Sequence, residues 1–158
     1  MYTDRRDVAI PGKRKEVAYA TPDKYFQRAT ELAQIGEQAH VSANPATNWL
    51  PLGVFEAIPP KQKSSSMLMQ LTVNKDGIIR GNYYDILDKN VQPIEGSIDK
   101  NIARSVWVVA DKKDVIFDTS LYNLTRREAA ILVHFGKDKN ERWVLVRLQT
   151  TGNASANQ

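Results

Sequence analysis

Val73-Asn-Lys-Asp-Gly-Ile-Ile-Arg-Gly-Asn-Tyr-Tyr84 reads as a β-hairpin. Before it, Met67, Met69, Leu71 and Val73 alternate with Gln70, Thr72 and Asn74; after it, Ile79, Gly81 and Tyr83 alternate with Arg80 and Asn82. A period of two places each set on one face of a strand. Asn74-Lys-Asp-Gly77 supplies turn chemistry between them, with a glycine free to take the left-handed backbone that such a turn uses. Gly81 is expected to leave room inside the wall beside Ile79 and Tyr83.

The same unit repeats outward from that hairpin. Strands are expected at 52–58, 67–74, 78–87, 92–99, 103–110, 115–121, 130–135 and 143–149, separated by short polar turns that include Asp88-Lys-Asn90, Asp99-Lys-Asn101, Asn123-Leu-Thr125 and Lys137-Asp-Lys-Asn140. Connections this short leave no room for crossover helices, so neighbours must run antiparallel. A meander of eight such strands loses its exposed edges by closing on itself. The expected fold is therefore mainly β: an eight-stranded antiparallel up-and-down barrel, spanning 49–149.

Trp107, Val109, Phe117, Ile131, Val133 and Phe135 join the inward set, and side chains this bulky are expected to fill an eight-stranded barrel. Val106, Val108, Ile116 and Leu132 are apolar on the opposite face. Part of the outer wall should then be covered.

A candidate cover precedes the barrel. Thr21, Pro22 and Asp23 form a helix start of hydroxyl cap, first-turn proline and acidic residue, and a helix is expected from Pro22 to about His40. Its stripe of Tyr25, Ala29, Leu32, Ala33 and Gly36 is thin and suited to close packing. It should dock on the barrel, pair with another subunit or continue a longer helical region. Residues 1–20 read as an extended basic arm, 21–48 as helix and linker, and 150–158 as a disordered tail.

Composition excludes several classes. The 158 residues contain no cysteine, so disulfides, thiol nucleophiles and thiolate metal sites are out. Two histidines, His40 and His134, do not make a metal site, and no metal or other cofactor is expected. A net charge of +4, with acidic residues interleaved through every strand, does not make a nucleic-acid platform. No apolar run is long enough for a membrane-spanning helix. Ser64-Ser-Ser66 lacks the glycine-flanked elbow of a nucleophilic serine. No catalytic residues are assigned, and the chain is expected not to be an enzyme. Tyr83, Asp85, Trp107 and Phe117 are the candidate ligand-lining residues at one barrel mouth, with Asp85 in reach of the Tyr83 hydroxyl. Trp49, Arg147, Gly77 and Gly81 are assigned structural roles.

The eight-stranded meander with Gly81-Asn82-Tyr83 resembles the calycins, the avidin-like and lipocalin-like barrels. Trp49 and Arg147 are similar to the lipocalin pair in which a tryptophan packs on an arginine at the closed end, a structural role in that family. Asn48-Trp-Leu-Pro-Leu-Gly-Val-Phe55, the hairpin itself and Leu132-Val-His-Phe-Gly-Lys137 look like an uncharacterised family of bacterial exported or cell-surface-type proteins. That second resemblance implies an extracytoplasmic home, in the periplasm or at the cell surface; a cytoplasmic one is the alternative. The expected function is a non-catalytic interaction or structural module whose partner, another protein or a second copy, meets the N-terminal helix and outer wall. The alternative is a calycin-type carrier of a small apolar ligand.

Overall fold

At residues 74–77 the chain turns as its side chains dictate. The Asn74 side-chain oxygen accepts hydrogen bonds from the backbone N–H groups of Asp76 and Ile78, both at 2.9 Å, and Gly77 takes φ +81°. The strands so joined belong to a barrel whose computed structural model describes residues 21–41 and 49–148. The expected arm at 1–20, residues 42–48 of the linker and the expected tail lie outside the described residues.

Eight strands are present: β1 (Leu50–Ile58), β2 (Met67–Val73), β3 (Ile78–Asp85), β4 (Asn90–Asp99), β5 (Arg104–Val109), β6 (Lys112–Ser120), β7 (Glu128–His134) and β8 (Asn140–Arg147). Each pairs antiparallel with the next, and β1 pairs with β8 to close the ring. The fold is the expected up-and-down meander. At Gly81 a Cβ would sit on the backbone carbonyl of Gln70 in β2, so the space this glycine leaves is needed by the neighbouring strand.

The inward faces meet in one core. Phe55, Met69, Leu71, Ile79, Ile94, Trp107, Ile131 and Leu145, drawn from seven strands, are each no more than 2% exposed and belong to a single apolar cluster. No water-sized space reaches these walls, and packing at that density fills the barrel. The aromatic part is ordered: Trp107 stacks on Phe117 at 6.0 Å between ring centroids, and Phe117 meets Trp143 edge-on at 6.0 Å.

One connection differs from expectation. Asn123-Leu-Thr125 is not a hairpin turn but part of a 3-10 helix, Tyr122–Thr125. Strands β6 and β7 pair only over Ile116–Asp118 and Leu132–His134, so they have diverged at this end and need a longer link. Leu124 of that helix is buried in the core cluster and plugs the end. The Asn123 side-chain amide donates to Thr119 Oγ1 at 3.0 Å and to the Ala130 carbonyl at 3.3 Å, bridging the parted strands.

Helix α1 (Pro22–Gln38) begins where the cap residues place it, with Thr21 Oγ1 accepting from the Lys24 N–H at 3.2 Å. It lies across β4, β5 and β6 on the outside of the barrel of its own chain. Ala29, Leu32 and Ala33, with Phe26 alongside, cover Val106, Val108 and Ile116, three of the four outward apolar residues of the sequence. Polar contacts fix its position along the wall: Ser97 Oγ donates to the Leu32 carbonyl at 2.5 Å, Arg28 pairs with Asp99 at 3.0 Å, and Arg80 donates to the Ala39 carbonyl at 3.2 Å.

The closest approach is glycine to glycine. A Cβ on Gly36 would fall on the backbone of Gly96 in β4, so small residues on both elements set the distance between helix and sheet. A Gly36→Val chain should lift or tilt α1 and lose about 1–3 kcal/mol, the usual cost of overpacking a tight contact. Urea unfolding together with hydrogen exchange of the α1 amides measures this; unchanged stability with unchanged α1 protection would contradict the backbone-to-backbone seating.

Candidate functional site

Two regions hold the molecule's chemistry-bearing side chains: one mouth of the barrel and the wall beneath α1. The mouth is where β3 ends and β8 begins. Tyr83 and Asp85 on β3, and Glu141 and Trp143 on β8, are all in the inward phase of their strands. Each carboxylate accepts from the aromatic residue two positions away: Tyr83 OH donates to Asp85 Oδ2 at 3.3 Å, and Trp143 Nε1 donates to Glu141 Oε1 at 2.9 Å. Phe135 packs against Trp143 at 6.3 Å, and the Lys139 ammonium stands 5.4 Å from the Phe135 ring centre.

Electrostatics at the mouth follow from these contacts. Asp85 is held below the usual carboxylate range first by a hydrogen bond from the Ser66 hydroxyl, then by the Leu87 backbone N–H and the Tyr83 hydroxyl, against an opposing effect of desolvation. Tyr83 is pushed up to about 12, mainly by burial, then by the Asp85 charge and hydrogen bond, with smaller effects of Asp88 and Asp111. Its neutral form is the one the fold prefers. The stability this provides is complete below the ordinary tyrosine value near 10 and is lost as pH rises from there through 12. Comparing phenolate absorbance of the native chain with that of Tyr83→Phe should show one tyrosine ionising near 12, and Asp85→Asn should bring it part of the way down, because burial remains. A Tyr83 that titrates near 10 in the native chain would contradict this mouth.

Of the four candidate ligand-lining residues, Tyr83 and Asp85 are brought together at the rim. Phe117 lies beneath them in the core, and Trp107 is completely buried, with its Nε1 donating to Met69 Sδ at 3.4 Å. The rim offers two carboxylates and aromatic edges, a combination suited to a cation or a hydrogen-bond donor resting on the surface. It offers no base aligned with a nucleophile.

The wall beneath α1 carries a charged network. Arg104 on β5 donates from Nε to Asp118 Oδ1 at 2.9 Å and from Nη2 to Asp118 Oδ2 at 2.5 Å. His134 Nε2 lies 2.9 Å from the same Asp118 Oδ2. The first turns of α1 roof this cluster: Arg104 Nη2 also donates to the Tyr25 carbonyl at 3.0 Å, its guanidinium lies 3.7 Å from the centre of the Tyr25 ring, and Phe26 meets His134 edge-on at 5.5 Å. Asp118 is 1%, His134 3% and Arg104 5% exposed. His134 thus faces outward from its strand, yet the helix buries it against a carboxylate. That carboxylate and that imidazole are sealed from any substrate, and their work is to anchor α1.

Arg104, Asp118, Glu141 and Trp143 were not singled out by sequence. The available signal was the outward phase of Arg104 with Val106 and Val108, and of Asp118 with Ile116: a charge inside an apolar outer stripe, which a solvated face does not need. The structural assignments hold different positions. Arg147 lies across from Phe55 in the β1–β8 ladder with its guanidinium 5.0 Å from the Phe55 ring centre, and its Nη2 donates to the Leu52 carbonyl at 2.8 Å and to the Leu124 carbonyl. It ties the 3-10 plug to β1 at the closed end. Trp49 stands half-buried just before β1.

Among the described residues no cluster of three or more metal-ligating side chains occurs, and no helix is long and apolar enough to cross a membrane. Comparison with family models, curated proteins and solved structures finds no match to this chain. The barrel itself is what the calycin resemblance implied, and architecture is as far as that likeness reaches.

Proposed function

We propose that the chain is a non-catalytic β-barrel module of an exported or surface-associated protein, and that it binds through its outer surface and rims. The observation that carries this reading is the filled interior, with Trp107 at its centre wholly inaccessible. A calycin carrier needs a cavity of about 300–1,000 Å³ to enclose a small ligand, and the side chains of this barrel occupy that place. Support also comes from the Asp118–His134 pair, which is spent under α1.

Native mass spectrometry of the purified chain, followed by titration with medium-chain fatty acids and an apolar fluorescent probe, tests the reading. The expected result is a bare polypeptide mass and no saturable binding. A co-purifying small molecule, or one-to-one saturable uptake that changes tryptophan emission, would establish the carrier instead. Fractionation of cells producing the chain from its natural precursor tests the exported location.

A further inference from the structure

We propose that the β3–β4 hairpin tip is a membrane-surface anchor that seats this end of the barrel on an anionic lipid bilayer. Hairpin turns favour polar residues, yet Ile86 and Leu87 occupy this one, at 50% and 83% exposure, and Val91 follows at 56%. Half of the large exposed apolar side chains of the described residues therefore project from one tip. Tyr84 pairs with Val91 and with Leu68 on the outer face, extending the apolar strip a short way down the wall.

The surroundings select a charged lipid surface as the occupant. Exposed Lys61 and Lys63 lie in the adjoining β1–β2 loop, which is joined to the tip by the Ile86 N–H to Ser66 carbonyl bond at 2.9 Å, and Lys89 is in the tip itself. Lys112, Lys113, Lys137 and Lys139, all exposed, stand at the same end of the barrel. Carboxylates are interspersed, but those of the tip are folded back onto its backbone: Asp85 accepts from the Leu87 N–H and Asp88 from the Asn90 N–H, each at 2.9 Å. Lysine stems reach outward past such short, tethered groups and hold their ammoniums at headgroup level. A convex tip of two aliphatic side chains offers little area to a protein partner, whose specific interfaces need about 800 Å² per side. It suits insertion into the headgroup and acyl boundary, where an apolar anchor and nearby basic residues act together.

Co-sedimentation of the full chain with vesicles of phosphatidylcholine alone, and of phosphatidylcholine with about one-third phosphatidylglycerol, tests this inference independently of whether the interior takes a ligand. Binding should occur on the anionic vesicles, weaken at least tenfold without the anionic lipid or at high salt, and weaken at least tenfold in Ile86→Ser/Leu87→Ser. That variant changes only exposed positions and keeps the basic N-terminal arm, with circular dichroism confirming its fold. Undiminished binding by the variant would assign the attraction to the arm and overturn the proposal. So would absence of vesicle binding, or a dimer seen by light scattering that the two substitutions dissolve, which would make the tip a protein interface.

Discussion

Asp118→Ala should destabilise the chain by about 3–5 kcal/mol, the range for removing one partner of a buried ion pair. Asp118 is the acceptor shared by Arg104 and His134, and its loss leaves a guanidinium and an imidazole buried under α1 without that carboxylate. The effect should be local before it is global. The first turns of α1, held through the Tyr25 carbonyl and ring, should lose hydrogen-exchange protection ahead of the barrel strands. Urea unfolding of Asp118→Ala beside Arg104→Met/Asp118→Leu/His134→Leu separates charge burial from simple packing. The triple variant should recover most of the loss, because apolar replacement of a whole buried network is often neutral or stabilising. If Asp118→Ala costs less than about 1 kcal/mol, the network does not anchor the helix.

Trp107→Ala carries the second large effect, about 3–5 kcal/mol from lost burial and the cavity left behind. Trp107 touches the stacked Phe117 ring and the Met69 sulfur at the middle of the barrel, where closed strands restrict collapse around a hole. A further consequence distinguishes a filled barrel from a hollow one. An apolar cavity cut into a packed core stays dry and takes up small apolar molecules, so Trp107→Ala should bind an apolar probe that the native chain rejects. Loss of stability below about 1 kcal/mol, or equal probe binding by both chains, would contradict the packed core.

Much of the architecture was legible because it rests on local signals. Period-two alternation and turn residues such as Asn74 and Gly77 act over a few positions, and all eight strands and the α1 start follow from them. The outward apolar residues Val106, Val108 and Ile116 called for a cover, and the small residues of α1 provide it at the Gly36–Gly96 contact. The site was less legible because it depends on register between strands. Asp118 stands across from Val106 in one ladder and Leu132 in the next, which lets it reach both Arg104 and His134; no spacing within a single strand announces that convergence. Trp143 and Glu141 meet Phe135 only because β8 returns to pair with β7. Likewise Arg147 stands by Phe55 because β1 closes on β8 at that pair. Leu124 reads as a turn residue until the divergence of β6 and β7 gives it an end to plug.

The filled interior is tested most directly by the emission of Trp107 alone. In a chain carrying Trp49→Phe and Trp143→Phe, the remaining indole should emit at short wavelength, resist acrylamide quenching and ignore added apolar ligands. Emission that acrylamide quenches readily, or that shifts in a saturable way with a small apolar ligand, would show an open barrel and contradict the account.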